Sequence, residues 1–317
     1  MRVSLLPVLR PTFDVAAAQQ FLEHAITALH EAGHTLVGPT APALGDDEVT
    51  AAAAAIATGD EPIDAVVVLQ GTFTTAVGAS IVARRGVPVV LWSFPEPEGG
   101  HRLRLNSLCG STLASYALHH AGAPIAWVHG DPTDEHTLRQ LADALTNART
   151  GDEPTRAPRV DLAAAATDAG HRVAAELRGV RIGRIGEPPD GFDPCVYDPD
   201  QLRAHTGVIV DELGLDALVE RAESTPVTLT RAITDEAATR TTGLDDLDAD
   251  GVERSTRLLA GMRELVDEHD WSALCTRCWP ECMADYGGAV CWPSAEMTDA
   301  GIPAGCEADV LGTVTGL

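Results

Sequence analysis

The residues best suited to chemistry lie in the last 43 of the 317 residues, CTRCWPECMADYGGAVCWPSAEMTDAGIPAGCEADVLGTVTGL. Glu281 follows Trp279-Pro280 at the end of one strand-like segment, and Glu307 and Asp309 follow Gly305-Cys306 at the start of the last helical one. Hard oxygen ligands from two neighbouring strand ends suit Mn²⁺ or Mg²⁺. Two carboxylates held together in an apolar frame repel unless a cation or a proton lies between them. A plainer role fits equally well, since acidic side chains favour a helix N-terminus through its dipole, and residue types alone leave both open. The same run holds five of the seven cysteines. Cys275-x2-Cys278 invites a zinc site, but a closed one needs four ligands and no histidine falls inside the segment. Trp279-Pro280 argues against a redox dithiol, because the helix such a motif needs cannot continue from Cys278. These thiols are expected to act as small buried hydrophobes.

Three further segments join small and polar residues where α/β proteins place ligands, at the carboxyl ends of strands. Gln70-Gly71-Thr72-Phe73-Thr74 offers backbone N–H groups and hydroxyls to an oxygen-rich ligand, or simply caps its own helix. Trp92 precedes a Pro-Glu-Pro loop and either stacks on a sugar face or plugs a strand end. Gly183 to Asp193 is rich in glycine but has no GxGxxG and no P-loop lysine, which argues against nucleotide binding.

These positions need a scaffold, and the pattern supplies one. Short β-branched runs alternate with alanine-rich helical stretches, as in parallel sheets covered by helices. Strands are predicted at Arg2–Leu9, Thr35–Val37, Ala65–Leu69, Val87–Leu91 and Ile125–Val128, with helices between them. The polar stretch TGDEPTRAP, residues 150–158, marks a linker. A second α/β unit follows, with strands predicted at Val180–Ile185, Gly207–Val210 and Trp271–Leu274. Long helices are predicted at Val160–Leu177 and Gly251–His269, the latter with Leu258, Met262, Leu265 and Val266 on one face. The fold class expected is α/β, two doubly wound domains with parallel sheets, divided as 1–155 and 156–317.

Charge narrows the function. All 22 basic residues are arginine, against 47 acidic ones, for a net charge of −25. Such a surface repels phosphate backbones and anionic lipid, so neither nucleic acid nor membrane is an expected partner. No run approaches the roughly 18 apolar residues of a membrane span, and with no signal-like N-terminus the expected location is the cytoplasm. A dense carboxylate surface keeps a protein hydrated in a salt-rich or acidic-proteome setting. No lysine is available as a catalytic base.

Taken together, VVVLQGTFT, VPVVLWSFPEPEG, LNSLCG, RIGRIGEPPDGFD and above all the CWPE and GIPAGCEADVLG blocks resemble the L-fucose/L-arabinose isomerase family, in its fucose isomerase-like branch. The likeness runs over nearly the whole chain. It implies a metal-dependent aldose–ketose isomerase, usually requiring Mn²⁺ or another divalent cation, with N-terminal and central Rossmann-like domains, a C-terminal domain, and assembly as a homo-oligomer. It implies that Glu281 and Asp309 bind the metal and exchange the substrate proton across an enediol. Glu307 is expected to orient the loop and, with Arg10 and Trp92, to contribute sugar contacts. Family members take a third ligand, a histidine, from the C-terminal domain, and nothing here matches that domain. Resemblance therefore implies a chain with little or no isomerase activity alone: a fragment of a longer reading frame, a split enzyme completed by another chain, or a degenerate homologue that binds sugar without turning it over. The competing expectation is a non-catalytic sugar-binding or regulatory α/β module.

Overall fold

The computed structural model describes residues 1–97, 103–150 and 164–317. Two compact units emerge, Met1–Pro158 and Arg159–Leu317. The expected boundary at 155/156 and the expected start of a helix at Val160 lie outside the described residues.

The first unit runs β1 (Arg2–Leu9), α1 (Val15–Glu31), β2 (Thr35–Val37), β3 (Ala43–Leu44), α2 (Asp46–Thr58), β4 (Ala65–Gln70), α3 (Val77–Ala83), β5 (Val89–Ser93), α4 (Ser107–His120), β6 (Ile125–His129) and α5 (Glu135–Thr150). Its sheet is parallel, in the order β2-β1-β4-β5-β6, with β3 also on β1. β1 and β4 are apolar along nearly their whole length because both faces of the sheet are covered. Val3, Leu5 and Leu9 pack with α1 on one face, while Leu6 and Val8 pack with α2 on the other. Pro7 looks misplaced in a central strand, yet β2 pairs only with residues 2–4 and β3 only with residues 8–9. The proline, with no N–H to donate, falls in the gap between them.

The second unit runs α6 (Ala164–Glu176), β7 (Arg181–Ile185), α7 (Pro199–Thr206), β8 (Ile209–Leu213), α8 (Leu215–Ser224), α9 (Val227–Ala238), α10 (Ala249–His269), β9 (Ala273–Thr276), α11 (Cys291–Asp299), β10 (Ala304–Cys306) and α12 (Val310–Thr315). A π-helical turn, Cys282–Tyr286, follows β9. The sheet order is β10-β9-β7-β8, again all parallel. α10 buries Leu258, Met262, Leu265 and Val266, as its spacing predicts. The strand predicted at 271–274 instead occupies 273–276. Trp271 lies just before it, with its ring over Gly183 of β7, where an added Cβ would come within 2.2 Å of the indole.

Both sheets share one topology. Ignoring the short β3, each places its second strand outside its first and continues on the other side. The chain changes direction between β1 and β4 in one unit and between β7 and β9 in the other. A crevice opens outside the carboxyl ends of the strands at each such point.

Candidate active site

In the second unit, β7 ends at Ile185 and β9 at Thr276, adjacent in register. Gly186, with φ +81°, turns the chain out of β7. An added Cβ there would stand 2.7 Å from Arg277 Cβ, so the absence of a side chain is what lets Arg277 lie across this turn. From that cradle Arg277 grips Glu281, with Nη2 2.6 Å from Oε1 and Nε donating to Oε2 at 2.7 Å. Its Nη1 donates to the carbonyl of Glu187 at 3.3 Å. Burial raises the Glu281 pKa, but hydrogen bonds from Arg277 and from the residue's own backbone N–H, with the Arg277 charge, together outweigh it and hold the carboxyl below its ordinary value. Glu281 is therefore a carboxylate at neutral pH, the form in which it can accept a proton or bind a cation.

Arg184 on β7 forms the floor. It is only 4% exposed. Its guanidinium donates to Glu187 at 2.5 and 2.8 Å and to the Gly186 carbonyl at 3.1 Å, and pairs with Glu212 at 3.1 Å. Its Nε is buried without a hydrogen-bond partner. Hydrogen bonding to Glu187 comes first among the causes that raise the Arg184 pKa. Tyr197 donates to Glu212 at 2.5 Å. The result is a cavity of about 470 Å³ lined by Arg184, Glu187, Glu212, Arg277 and Glu281 among others. That volume holds a single sugar ring, and alternating carboxylates and guanidinium groups suit its hydroxyls, which both donate and accept.

The other carboxylates stand at the end of β10, the strand next to β9. Glu307 and Ala308 both adopt positive φ, 56° and 54°. Glu307 Oε1 accepts from the Cys278 thiol at 3.3 Å. Asp309 is the N-cap of α12, its Oδ1 accepting from Gly312 N at 2.9 Å. The plainer role is thus filled at Asp309. Among the described residues no three His, Cys, Asp or Glu side chains converge as a metal-ligand group. In kind, Glu281 and Asp309 fit a hard divalent cation, being carboxylates at neighbouring strand ends. In place, both oxygens of Glu281 are engaged by Arg277.

The first unit's crevice holds Arg10, which is buried, with Nη2 on Asp46 at 2.7 Å and the guanidinium 5.5 Å from the centre of the Phe73 ring. Its backbone N–H donates to Thr72 Oγ1 at 2.7 Å. Gln70 Nε2 donates to the Thr72 carbonyl at 2.8 Å and to Thr74 Oγ1 at 2.7 Å, and Ser107 Oγ donates to the Gln70 carbonyl. Arg10 and the QGTFT turn therefore meet, as two strand ends at a switch point must. Trp92 corrects the expectation of a sugar-stacking surface ring. It is 0% exposed, packed beside Phe94 in the core, with its indole N–H on the Gly130 carbonyl. The apolar faces of α1 and α5 cover it, so the strand-end plug is its role.

Sequence reasoning missed Arg184, Glu187, Glu212 and Arg277. Arg277 and Glu281 stand four apart with opposite charge, a usable signal, but one tied to helices, and residue 277 lies at a strand end.

Residues 4–150 match the family model of the fucose/sulfoquinovose isomerase N-terminal domain. Over 99% of its length the chain is 28% identical to the sulfoquinovose isomerase of Alkalicoccus urumqiensis and 25% identical to that of Priestia aryabhattai. It spans 65% of the length of each of these relatives. A solved ABC transporter periplasmic solute binding protein from Actinobacillus succinogenes 130z, with bound D-allose, aligns over 95% of this chain and 83% of its own at 10% identity. Its TM-score of 0.24 carries no argument.

Proposed function

We propose that the chain is a member of the fucose/sulfoquinovose isomerase family, which its likeness to the N-terminal domain model and to the sulfoquinovose isomerases supports, and that it takes part in aldose–ketose isomerisation of a sugar bound in the β7/β9 cavity. The observation that carries this is Glu281, held ionised in a sugar-sized cavity at the switch point of a parallel sheet. Isomerisation moves a carbonyl from C1 to C2. Glu281 takes the proton from C2 of the open-chain aldose, the electrons close an enediol across C1 and C2, and the proton returns to C1. Asp309 is the partner carboxylate for the hydroxyl proton that moves between the two oxygens. Such general catalysis contributes about 10²- to 10⁴-fold. Glu281 and Asp309 would hold a divalent cation, Mn²⁺ first, which when bound supplies Lewis acidity to the two substrate oxygens. Sulfoquinovose, the sugar named for its relatives, is the first substrate to try, with L-fucose and L-arabinose beside it, and the cytoplasm is the proposed site of action.

Deuterium exchange tests this. In D₂O with Mn²⁺ the protein should wash deuterium into C2 of the aldose or C1 of the ketose, slowly, since the chain alone is expected to turn over little sugar, and Glu281→Gln should abolish it. Absence of exchange from all three sugars, or full exchange by the Glu281→Gln variant, would sink the proposal.

A second reading rests on the Arg277–Glu281 pair, which leaves the cavity ready to bind sugar with no metal at all. Calorimetry separates the two: sugar affinity that needs Mn²⁺ supports the isomerase, and equal affinity in EDTA supports a binding module.

A further inference from the structure

The cation that Glu281 holds in this structure is Arg277. Both carboxylate oxygens are spent on it, at 2.6 and 2.7 Å. The arrangement is built into the fold. Gly186 leaves the space that the Arg277 stem fills, and the backbone N–H of Arg277 donates to the Ile185 carbonyl at 2.8 Å, fixing the side chain's root to β7. Arg184, the other guanidinium of the cavity, is committed to Glu187 and Glu212. No lysine exists to replace either.

The pair is also poised to open. Side-chain exposure is 23% for Arg277 and 35% for Glu281, so water reaches both. Arg277 has a second anchor, the Glu187 carbonyl, on which it can stay when Glu281 turns away. Partly exposed ion pairs of this kind are weak, and so are displaceable by a divalent cation but not ignored by one.

Resting on the proposed isomerase reading, we propose that Arg277 is a positioning residue that competes with the divalent cation for Glu281. It keeps the carboxylate aimed into the cavity by its bidentate grip, and would yield it to a cation that binds there. Metal affinity is thereby lower than two carboxylates would otherwise give, because binding must break a bidentate pair and bring a second positive charge beside the guanidinium. Removing Arg277 strengthens Mn²⁺ binding, where removal of a merely structural arginine would weaken it.

The test is Mn²⁺ alone titrated into the purified full chain, followed by the electron paramagnetic resonance signal of free Mn²⁺, with urea unfolding as a check that each variant folds. Arg277→Gln and Arg277→Met should bind Mn²⁺ about tenfold more tightly than the wild type. Arg277→Lys, which keeps the charge, should stay near the wild-type affinity, and Arg277→Gln with Glu281→Gln should lose the gain. Two neutral variants guard against one that misfolds. Unchanged or weaker Mn²⁺ binding in both, or a gain that survives loss of Glu281, overturns the proposal. Because the readout is metal binding, it stands apart from the exchange assay: a chain without isomerase activity can still show the competition, and an active one can fail to.

Discussion

Gly186→Ala tests the site and the fold together. The added methyl would stand 2.7 Å from Arg277 Cβ and 3.4 Å from its Cδ, on a residue with φ +81°. Left-handed backbone costs a residue with a Cβ about 1–2 kcal/mol, and overpacking a filled position costs about 1–3 kcal/mol. Alanine stiffens the unfolded chain and returns about 0.4–1 kcal/mol, leaving a net loss of roughly 2–3 kcal/mol. At about 2–4 °C per kcal/mol for a protein of this size, thermal unfolding of the second unit should fall by roughly 4–12 °C. A second consequence follows from where the methyl lands. Arg277 must move, so its bonds to Glu281 lengthen and the carboxyl drifts back up towards its ordinary value. A carboxyl with a depressed pKa in the folded state contributes stability above its unfolded value, near 4.5, and loses it as pH falls through the folded value. Wild type therefore loses this contribution in acid and the variant has little left to lose. The stability gap measured in urea should be widest at pH 7 and shrink below the unfolded pKa, by no more than about 1 kcal/mol for so exposed a pair. An unchanged unfolding midpoint would refute the packing argument, and a gap that ignores pH would refute the link from Gly186 through Arg277 to Glu281.

Other expectations follow from single residues. Trp92→Ala should cost about 3–5 kcal/mol in chemical unfolding of the first unit, because the indole is buried and its N–H bond to Gly130 is lost as well; a near-neutral result would return Trp92 to the surface role. Asp309→Ala should destabilise by about 1 kcal/mol through the lost cap, whereas Asp309→Asn keeps the cap, so a loss of exchange activity in the Asn variant at full stability would isolate the charge as the functional part. Iodoacetamide should modify Cys306 ahead of Cys278 and Cys275, read by peptide mass. The Cys278 thiol hydrogen-bonds Cys306 and lowers its pKa, while burial pushes Cys275 up to about 12. Faster labelling of Cys275 would contradict its packing under α12.

The sequence made the scaffold legible where one signal dominated. AVVVL is short, apolar at every position and rich in β-branched valine, as a strand covered on both faces requires, and β4 lies there. Spacing within 251–269 likewise needed no tertiary help to reveal which face of α10 is buried. The strand near residue 273 was offset by two because Trp271 has strong β propensity, and its true role depends on a glycine 88 residues earlier in the chain, Gly183 on β7. No local pattern carries that information. Trp92 was undecided for the same reason: exposure is a property of the helices laid over it, here α1 and α5. The carboxylates were found by type, but their partners were not. Arg277 pairs with Glu281 across a strand end and turn, and Arg184 reaches Glu212 only because β7 and β8 are neighbours.

The two crevices have one topology but different electrostatic states, and the difference favours the β7/β9 crevice as the proposed site. At the mouth of β1 and β4 the polar groups answer one another: Gln70 to Thr72 and Thr74, Thr72 to the Arg10 backbone, and the Arg10 guanidinium to Asp46. A ligand entering there has to break bonds already made, which costs about what it gains. At the mouth of β7 and β9 the count does not close. Arg184 keeps a buried Nε with no acceptor, and a cavity of about 470 Å³ stands over side chains that carry charge. Three carboxylates face two guanidinium groups there, leaving one negative charge in excess. A neutral ring of hydroxyls satisfies such a lining, and a cation balances it, whereas an added anion has to be matched by moving Glu187 or Glu212 aside. Glu187→Gln with Glu212→Gln should therefore raise affinity for a sugar bearing a negative group several-fold and leave that for its neutral analogue little changed, as calorimetry would read. Equal shifts for both sugars would show that charge in this crevice does not select the ligand.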